Sequence, residues 1–375
     1  MLFLFLQKGD RVKMAKELIV NYDNKPCYSI YIDNSYDAFC DKVNEISNFK
    51  KSKTCIVTDS NVANIYLNDM VEFAKNAFEQ VFTFIIPAGE ANKNLSQIEK
   101  LYEYLIINHF DRTDSLIALG GGVVGDMTGY AAATYLRGIN FIQVPTTLLS
   151  QVDSSIGGKT GVDFNQYKNM VGAFHMPKLV YINTSTIKTL PDEQFQCGMG
   201  EIIKHGLIRN AHYYNWLKDN HKEILSLNDD YLADMVYESC IIKKNVVEED
   251  PKEQSIRGYL NFGHTIGHAI EKLSDFKLYH GQCVAIGMVA ASYISKELGH
   301  ITNDEYEDII NTIKLYNLPV KCSLSDSQAI LQATKSDKKM IGNKVKFILL
   351  KSIGDAYINT NLTEKELLGA IEEVL

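Results

Sequence analysis

The sequence lacks the features that mark several large classes of protein. No apolar run in its 375 residues approaches the length of a membrane span, and no segment repeats at a fixed period or has low complexity. Its seven cysteines are scattered, odd in number and contain no Cys-x-x-Cys pair. This usage is typical of reduced cytosolic thiols and argues against a disulfide framework or a zinc knuckle. We therefore predict a cytoplasmic protein.

Positive charge is also in short supply. Lysine and arginine number 38 against 46 aspartates and glutamates, a net charge of −8, which argues against nucleic acid or an anionic membrane as the main partner. The opening Met-Leu-Phe-Leu-Phe-Leu lacks the basic residues, the longer apolar run and the cleavage site of a signal peptide. Because the segment that begins at Met14 resembles a natural start, we expect residues 1–13 to be a non-native or disordered extension.

What is present is a globular composition, 46% hydrophobic and 22% charged, in a chain long enough for two domains. Strand patterns such as 53–59 and 81–86 alternate with helical patterns such as 95–109. This alternation predicts a mostly parallel, open α/β sheet of the nucleotide-binding kind over 14–190. Helical patterns dominate 191–375, apart from one late strand, and predict a mostly α-helical second domain, to which the motifs below assign metal and substrate binding. The active site is expected in the cleft between the two.

A glycine run, Gly120-Gly-Gly-Val-Val-Gly125, fits G-x-G-x-x-G between a predicted strand and a helix. Backbone N–H groups and a helix N-terminus in that context can hold a pyrophosphate. The acidic residue expected about 20 positions later is missing, and Asp59, which ends an earlier strand, is a better candidate for a ribose contact. We predict dinucleotide binding over the alternative of a glycine turn without a ligand.

A second glycine-rich segment, 153–160, resembles a P-loop but has Asp153 where the first glycine belongs, which excludes an ATPase. Lys159 lies beside two glycines, and the pairs Lys168-Asn169 and Arg137-Gly138 add to its support for anion binding. Taken singly, each of these basic residues is more often a solvated surface charge. Together they predict a pocket for a small, multiply anionic substrate.

Three of the nine histidines fall within 264–280, and His264 and His268 are four residues apart, on one face of a helix. Such a pair alone is more often a pair of surface histidines than a metal site. Glu201 lies in an apolar, glycine-flanked segment, and a buried carboxylate needs a partner. It is either in an ordinary ion pair with Lys204 or the oxygen ligand of a site with two histidines and an open position.

These motifs, with 145–159, 201–204 and 260–271, resemble those of the 3-dehydroquinate synthases, in the same order, from about Asp59 to Lys339. The resemblance implies an NAD- and divalent-metal-dependent lyase of the shikimate pathway. Its reaction converts 3-deoxy-D-arabino-heptulosonate 7-phosphate to 3-dehydroquinate and phosphate. It also implies Zn²⁺ or Co²⁺ beside NAD, a small anionic sugar phosphate as substrate, and a homodimer without a nucleic-acid or membrane partner.

The same resemblance assigns roles to individual residues. The implied metal ligands are Glu201, His264 and His280, with His268 as an acid/base. The other implied catalytic residues are Asp153, Lys159, Lys204, Lys243, Arg257 and Asn261. Substrate contacts are expected from Arg137, which would reach the neighbouring subunit, and from Lys168, Asn169, Lys338 and Lys339. NAD contacts are expected from Asp59, Asn61, Glu90, Lys93, Gly121, Gly122, Val123, Asp126, Thr146, Thr147, Lys159, Lys168, Thr186, Ile187, Lys188 and Thr189.

One residue departs from the family pattern. The family usually has His-Gly-Glu here, and residues 280–282 of this chain are His-Gly-Gln, so Gln282 replaces the glutamate. If this side chain lies behind the metal ligands, an amide keeps an acceptor and loses a charge. A sister sugar phosphate cyclase, 2-deoxy-scyllo-inosose or 2-epi-5-epi-valiolone synthase, therefore stays open. Iron-type polyol dehydrogenases need no pocket for phosphate or carboxylate, so the lysines argue against them. A non-catalytic NAD- or metal-binding regulator is disfavoured by the intact set of acid/base and ligand residues.

Overall fold

A computed structural model of the chain describes residues 15–46, 49, 52–165, 167–274, 278–335, 340–341 and 344–375. Within these ranges the chain forms an α/β half followed by a mostly helical half. The predicted extension 1–13 and the two predicted substrate lysines, Lys338 and Lys339, lie outside the described residues.

The first half is built on a seven-stranded sheet. The strands are, in chain order, β1 (Lys16–Tyr22), β2 (Lys25–Asp33), β3 (Lys53–Asp59), β4 (Gln80–Ile86), β5 (Ser115–Gly120), β6 (Asn140–Pro145) and, after a separate hairpin of β7 (Lys159–Phe164) and β8 (Tyr167–Phe174), β9 (Leu179–Asn183). They lie in the order β1-β2-β9-β6-β5-β3-β4, and only β1–β2 is antiparallel. The central strands are apolar and almost wholly buried, as expected for a parallel sheet covered on both faces. The predicted α/β sheet is confirmed.

Helices cover the two faces of this sheet. They are α1 (Phe39–Glu45), α2 (Asn68–Lys75), which follows a short turn over Ser60–Val62 and a π-helical turn over Ala63–Leu67, α3 (Leu95–Ile107) and α4 (Gly122–Thr134). The helical segment after β3 begins at Ser60 because the Asp59 side chain accepts hydrogen bonds from the N–H groups of Asn61 and Val62. The glycine run forms the turn from β5 into α4, as the sequence predicts.

The strand order reverses between β3 and β5, since the chain continues from β3 to β4 on one side and from β5 to β6 on the other. The parallel register brings Asp59 at the end of β3 and Gly120 at the end of β5 to the same edge of the sheet. Open α/β sheets bind ligands in the crevice outside the carboxyl ends of their strands at such a reversal. The fold thus places the glycine run and Asp59 side by side.

The β7–β8 hairpin was not predicted. Its register pairs Lys159 with Phe174 and Gly161 with Gly172, and it packs against α4. Much of β8 is exposed, and its residues mix polar, aromatic and glycine positions. Such a strand lacks the β-branched run or the regular alternation by which strands are recognised in a sequence. The hairpin carries Lys159 and Asn169 to one wall of the cleft described below, and its Lys168 pairs with Glu271.

The second half is mostly helical, which confirms the predicted fold class. Its helices are α5 (Asp192–Arg209), α6 (Ala211–Asp219), α7 (His221–Leu225), α8 (Asp229–Glu249), α9 (His264–Leu273), α10 (His280–Glu297), α11 (Asn303–Leu315), α12 (Ser327–Lys335) and α13 (Glu364–Glu373). Short strands also occur, namely β10 (Met340–Ile341), β11 (Lys344–Val345) and a hairpin of β12 (Phe347–Ser352) and β13 (Asp355–Asn359). Across the described residues, no helix is both long and apolar enough to traverse a bilayer.

Close helix contacts in this half depend on glycine. A Cβ atom on Gly200 of α5 would lie 2.6 Å from the carbonyl oxygen of Gly281 at the start of α10. Because packed interiors leave no room for such an overlap, a larger residue would push the two helices apart. The contact sets Glu201 of α5 against His280 of α10, so the glycines around these two residues bring their side chains together.

One hydrophobic core joins the two halves. It contains side chains from the sheet, such as Val20, Ile30 and Val180, together with side chains of α5, α8 and α10. Two further clusters fill the remaining faces of the sheet. Because the first core contains side chains from both sides of the boundary predicted between residues 190 and 191, that domain boundary stays a prediction.

Candidate active site and metal centre

A cleft of about 600 Å³ lies between the hairpin, the neighbouring carboxyl-edge loops and the helical half. The predicted site residues that line it are Asp126, Asp153, Lys159, Asn169, Lys204, Lys243, Arg257, Asn261 and His264. They come from both halves of the chain, so folding collects side chains that are far apart in the sequence. A pocket lined by this many charged groups suits a polar, charged ligand.

The three predicted metal ligands converge beside this cleft. Oε1 of Glu201 lies 3.6 Å from Nε2 of His264 and 3.6 Å from Nε2 of His280. This separation exceeds a hydrogen bond and is close to the roughly 3.3 Å between two ligands of a tetrahedral zinc ion with bonds of about 2.0–2.1 Å. Glu201 is buried, and among the described residues its Oε1 atom has no hydrogen-bond partner. These three residues therefore fit a divalent cation.

Both imidazoles are oriented for such an ion. Nδ1 of His264 lies 3.1 Å from the carbonyl oxygen of Phe262, and Nδ1 of His280 lies 3.2 Å from Oε2 of Glu271. Carbonyl and carboxylate oxygens can only accept, so each Nδ1 atom carries a hydrogen and the Nε2 atom of the neutral ring is left as a ligand. Burial lowers the pKa of His280, but the carboxylates of Glu201 and Glu271 raise it to about 9. The surroundings therefore favour positive charge at this position.

His268 completes a cluster of three histidines. Its ring centroid lies 5.2 Å from that of His264 and 5.7 Å from that of His280. The ring nitrogens that the three residues offer lie within 4.8 Å of one another. This position suits a proton-transferring residue beside the ion, and it also suits a fourth ligand. The acid/base role of His268 stays a prediction.

Lysines in the cleft are paired with carboxylates. The pairs are Lys204–Glu201, Lys243–Asp153 at 2.5 Å and Lys159–Glu253. Burial raises the pKa of Asp153, but the ammonium groups of Lys243 and Lys204 outweigh it and hold that pKa well below its usual range. The pKa of Glu201 is lowered in the same way, by Lys204 against the effect of burial. Both carboxylates are therefore ionised at neutral pH.

Asp250 organises the loop that carries Arg257 and Asn261. Its carboxylate accepts hydrogen bonds from three backbone N–H groups of that loop, including those of Ser255 at 2.6 Å and Arg257 at 3.1 Å. The buried Arg257 guanidinium donates to the carbonyl oxygen of Pro251 at 2.6 Å. These contacts hold a guanidinium at the cleft wall, where it can receive an anionic group.

Most of the predicted NAD residues lie along the carboxyl edge of the sheet, whereas Lys159 and Lys168 are on the β7–β8 hairpin. Gly121 precedes α4 and Gly122 is its first residue, so the N–H groups of the first helical turn are available there. A Cβ atom on Gly122 would lie 3.1 Å from Oγ of Ser154, so a larger residue there would have to displace that hydroxyl. Other predicted residues that follow strand ends at this edge are Asp59, Asn61, Glu90, Thr146 and Thr147, while Val123 is in the first turn of α4. The arrangement suits a pyrophosphate at a helix N-terminus.

Lys93 links the parts of this edge. Its ammonium donates to Oδ2 of Asp126 on α4 and to Oδ1 of Asn169 on the hairpin, each at 2.6 Å. The lysine is buried, and Asp126 and Asn169 both line the cleft. A ligand that forms a hydrogen bond with one of these three side chains therefore changes the hydrogen bonds that the other two can form.

The 186–189 stretch contributes little side chain to the cleft. Thr186 and Ile187 are buried in the interior, Lys188 forms an ion pair with a carboxylate of α8, and the Thr189 hydroxyl lies 2.5 Å from the Tyr66 hydroxyl. Contacts from this stretch to a nucleotide would use its backbone. The NAD role predicted for these residues stays a prediction.

Arg137 is exposed, on the turn between α4 and β6. The backbone there is unusual, because Leu136 and Arg137 both have left-handed φ angles, 49° and 69°. Within the described part of the chain, Arg137 is not one of the residues that line the cleft. Its predicted role therefore requires a second copy of the chain.

Two carboxylates of the site were missed in the sequence. Glu253 pairs with Lys159 and accepts a hydrogen bond from Asn261 at 3.3 Å, and no spacing in the sequence marks it. Glu271 accepts hydrogen bonds from His280 and from Lys168. It could have been found, because it follows His264 by seven residues and therefore shares the same helix face.

Gln282 does not lie behind a metal ligand. Its side chain accepts from the N–H of Tyr279 at 3.1 Å and donates to Oε1 of Gln196 at 2.8 Å. The first contact belongs to the cap of α10. The residue that backs His280 is Glu271, so the departure from His-Gly-Glu does not remove a charge from the metal centre.

Known proteins match this chain over most of its length. The family model described as 3-dehydroquinate synthase N-terminal matches residues 83–197, and the model described as 3-dehydroquinate synthase C-terminal matches residues 198–340. The 3-dehydroquinate synthase of Acetivibrio thermocellus is 42% identical over 358 residues, which cover 95% of this chain and 98% of that protein. The chain belongs to the 3-dehydroquinate synthase family. A 3-dehydroquinate synthase of Thermoanaerobacter pseudethanolicus is 43% identical over 352 residues, which cover 92% of this chain and 97% of that protein.

Solved structures with the same fold include those of two other synthases. A 2-deoxy-scyllo-inosose synthase, in complex with carbaglucose-6-phosphate, NAD⁺ and Co²⁺, has a TM-score of 0.86 at 24% identity, over 96% of this chain and all of that one. A 2-epi-5-epi-valiolone synthase from Streptomyces hygroscopicus subsp. jinggangensis 5008, with NAD⁺ and Zn²⁺ bound, has a TM-score of 0.85 at 23% identity, over 95% of this chain and 98% of that one. At this identity the likeness concerns the fold.

Proposed function

We propose that the protein is a 3-dehydroquinate synthase. It converts 3-deoxy-D-arabino-heptulosonate 7-phosphate to 3-dehydroquinate and phosphate through transient oxidation, phosphate elimination, reduction and aldol cyclisation. One observation carries the proposal: a single cleft joins a site for a divalent cation, a group of anion-binding lysines and the nucleotide edge of the sheet. A reaction that needs all three finds them within reach of one small substrate.

NAD and Zn²⁺ or Co²⁺ fit the residues at hand. When bound, NAD⁺ supplies reversible hydride transfer and the divalent ion polarises a substrate oxygen. Glu201, His264 and His280 would hold the ion. The helix N-terminus at Gly122 would receive the pyrophosphate, and Asp59 would face the ribose.

The anion-binding residues hold the substrate through successive steps. Lys159, Lys204, Lys243 and Arg257 are placed to bind a carboxylate and a phosphate, because each of them lines the same cleft. Such clamping keeps the reacting carbons in place, and it favours the departure of phosphate by offsetting its charge. Asn261 would orient a hydroxyl group of the substrate.

Proton transfer is assigned to His268. Its imidazole lies next to those of His264 and His280, so it would accept a proton from the substrate hydroxyl that is oxidised and return it when the carbonyl is reduced. Asp153 pairs with Lys243 and would oppose the burial that lowers the pKa of that lysine.

The proposal extends to a homodimer in the cytoplasm. An exposed Arg137 on a left-handed turn would reach the cleft of a second copy. The cysteines are free thiols, as expected in a reducing compartment. Sedimentation or light scattering would test the dimer directly.

A sister cyclase activity is the second candidate, and it is favoured by the fold neighbours that make 2-deoxy-scyllo-inosose and 2-epi-5-epi-valiolone. The deciding experiment incubates purified protein, NAD⁺ and Zn²⁺ or Co²⁺ with the heptulosonate phosphate and follows phosphate release. Parallel reactions contain glucose 6-phosphate or sedoheptulose 7-phosphate. We expect release from the heptulosonate phosphate alone. No release from it, or steady accumulation of NADH, would refute the proposal.

A further inference from the structure

Glu271 lies against the metal centre without being one of its proposed ligands. It is on α9, three residues after His268, and its side chain is buried. Oε2 accepts a hydrogen bond from Nδ1 of His280 at 3.2 Å, and Oε1 accepts one from Nζ of Lys168 at 2.9 Å. One carboxylate thus joins the metal side of the cleft to the β7–β8 hairpin.

The two ligand histidines are held in different ways. Nδ1 of His264 faces a backbone carbonyl, that of Phe262, which no substitution can remove. His280 is the first residue of α10, and its ring depends on the side chain of Glu271 for the equivalent contact. The side chain of His280 is also 32% exposed, against 11% for His264, so packing restrains it less.

We propose that Glu271 is the positioning residue for His280 and thereby sets the affinity of the metal site. This inference rests on the proposed metal site of Glu201, His264 and His280. The carboxylate keeps the hydrogen on Nδ1 and turns Nε2 toward Oε1 of Glu201. It also adds negative charge behind the ligand, which makes the imidazole a better donor to a cation.

Lys168 provides a matched control, because Glu271 has two partners. If the carboxylate merely ties the hairpin to α9, removing either partner of that ion pair has the same effect on the metal site. If it acts through His280, only the loss of the carboxylate matters. Glu271→Gln keeps the size of the side chain and removes its charge, whereas Lys168→Met leaves the contact with His280 intact.

The experiment titrates Co²⁺ into the metal-free full-length protein and follows the visible absorption bands of the ion. We expect Glu271→Gln to weaken the Kd for Co²⁺ by about 10- to 100-fold and to change the band shape at saturating Co²⁺, because His280 is no longer held in one orientation. Lys168→Met is expected to change the Kd by less than about threefold, since it leaves the hydrogen bond to the ligand in place.

The Kd values and spectra of the variants distinguish the proposed role of Glu271 from its alternatives. Equal Kd values and spectra for the wild type and Glu271→Gln, or equal weakening in Glu271→Gln and Lys168→Met, would overturn the role of Glu271. Should Glu271→Gln not fold, Glu271→Asp keeps the charge at a longer distance and must weaken Co²⁺ binding more than Lys168→Met does. A wild-type protein that binds no Co²⁺ would instead refute the proposed metal site itself.

Discussion

The metal side of the cleft and its nucleotide side are built on different principles. On the metal side, buried side chains of helices meet each other directly, as Glu201 does with His264 and His280. On the nucleotide side, the groups available to a ligand are mainly backbone N–H groups of glycines at the end of β5 and the start of α4. The first side therefore depends on the identity of each residue, and the second depends on the absence of side chains. We therefore expect the metal side to be damaged by removing side chains and the nucleotide side to be damaged by adding them.

The largest effect is expected from His264→Ala. Loss of one of three ligands should empty the metal site, and turnover should fall by about 10³-fold or more, because a bound metal contributes several kcal/mol to the barrier. Metal content by mass spectrometry and phosphate release are the measurements. His300→Ala is the control, since His300 lies outside the cleft and contacts Tyr357. Full metal content in His264→Ala would show that His264 is not a required ligand and would contradict the account of the metal side.

A smaller effect is expected from His268→Ala. If this residue transfers protons, the variant keeps its metal and loses about 10²- to 10³-fold in kcat, within the usual range for an acid/base. The test compares metal content and kcat with those of His264→Ala. Equal metal loss in both variants would make His268 a ligand and remove the proposed division of roles.

Lys243→Met tests the anion-binding wall. The lysine pairs with Asp153 in the cleft, and hydrogen bonds to charged groups are worth about 1.5–3 kcal/mol. We expect KM for the sugar phosphate to rise by about 10- to 100-fold, with metal content unchanged. Lys244→Met is a matched control, because Lys244 is the next residue and pairs with Glu248 instead. A similar rise in both variants would point to net charge rather than to a specific contact.

Gly122→Ala tests the nucleotide side. The added Cβ would lie 3.1 Å from Oγ of Ser154 and would narrow the space at the helix N-terminus. We expect the KM for NAD⁺ to rise about tenfold, or roughly 1.4 kcal/mol, while metal content stays the same. Gly369→Ala serves as control, because the nearest atom to its Cβ would be 3.9 Å away. An unchanged NAD⁺ dependence would show that this side tolerates side chains after all.

The smallest effect concerns His175, which is not among the described residues that line the cleft. Burial lowers the pKa of His175 below its ordinary value of 6.5, and the ring stacks on Phe141. The folded protein therefore resists protonation there, whereas the unfolded chain accepts a proton below about pH 6.5, so stability falls as the pH drops from that value. His175→Gln should flatten this decline. Urea midpoints at pH 7.5 and pH 5.5, compared with the wild type, provide the measurement, and an unchanged slope would contradict it.

The sequence predicted the architecture well because its strongest patterns are local. The buried strand 53–59 is found with the predicted bounds, and the helix predicted over 95–109 is found over Leu95–Ile107. The β7–β8 hairpin escaped because its polar and glycine-rich strands carry no regular period. In the helical half the sequence pointed to Glu201 and to the histidines of 264–280, and the family resemblance supplied the choice of His264 and His280 as ligands.

Contacts between distant residues were the part that a single sequence could not supply. Glu253 meets Lys159 across 94 positions of the chain, and Glu271 meets Lys168 across 103. Neither pair has a spacing that marks it. Conversely, the conjecture about Gln282 came from a motif without its three-dimensional context, and the side chain points to Gln196 instead.

The pairing of the cleft lysines with carboxylates affects how well simple cellular anions can bind in the cleft. Lys204, Lys243 and Lys159 each already face a carboxylate, so a chloride or bicarbonate ion has to compete with that carboxylate for a single contact. A molecule that carries both a phosphate and a carboxylate can engage several ammonium groups at once. The cleft therefore selects by the number of negative charges that arrive together, and abundant simple anions leave it open to a scarce metabolite.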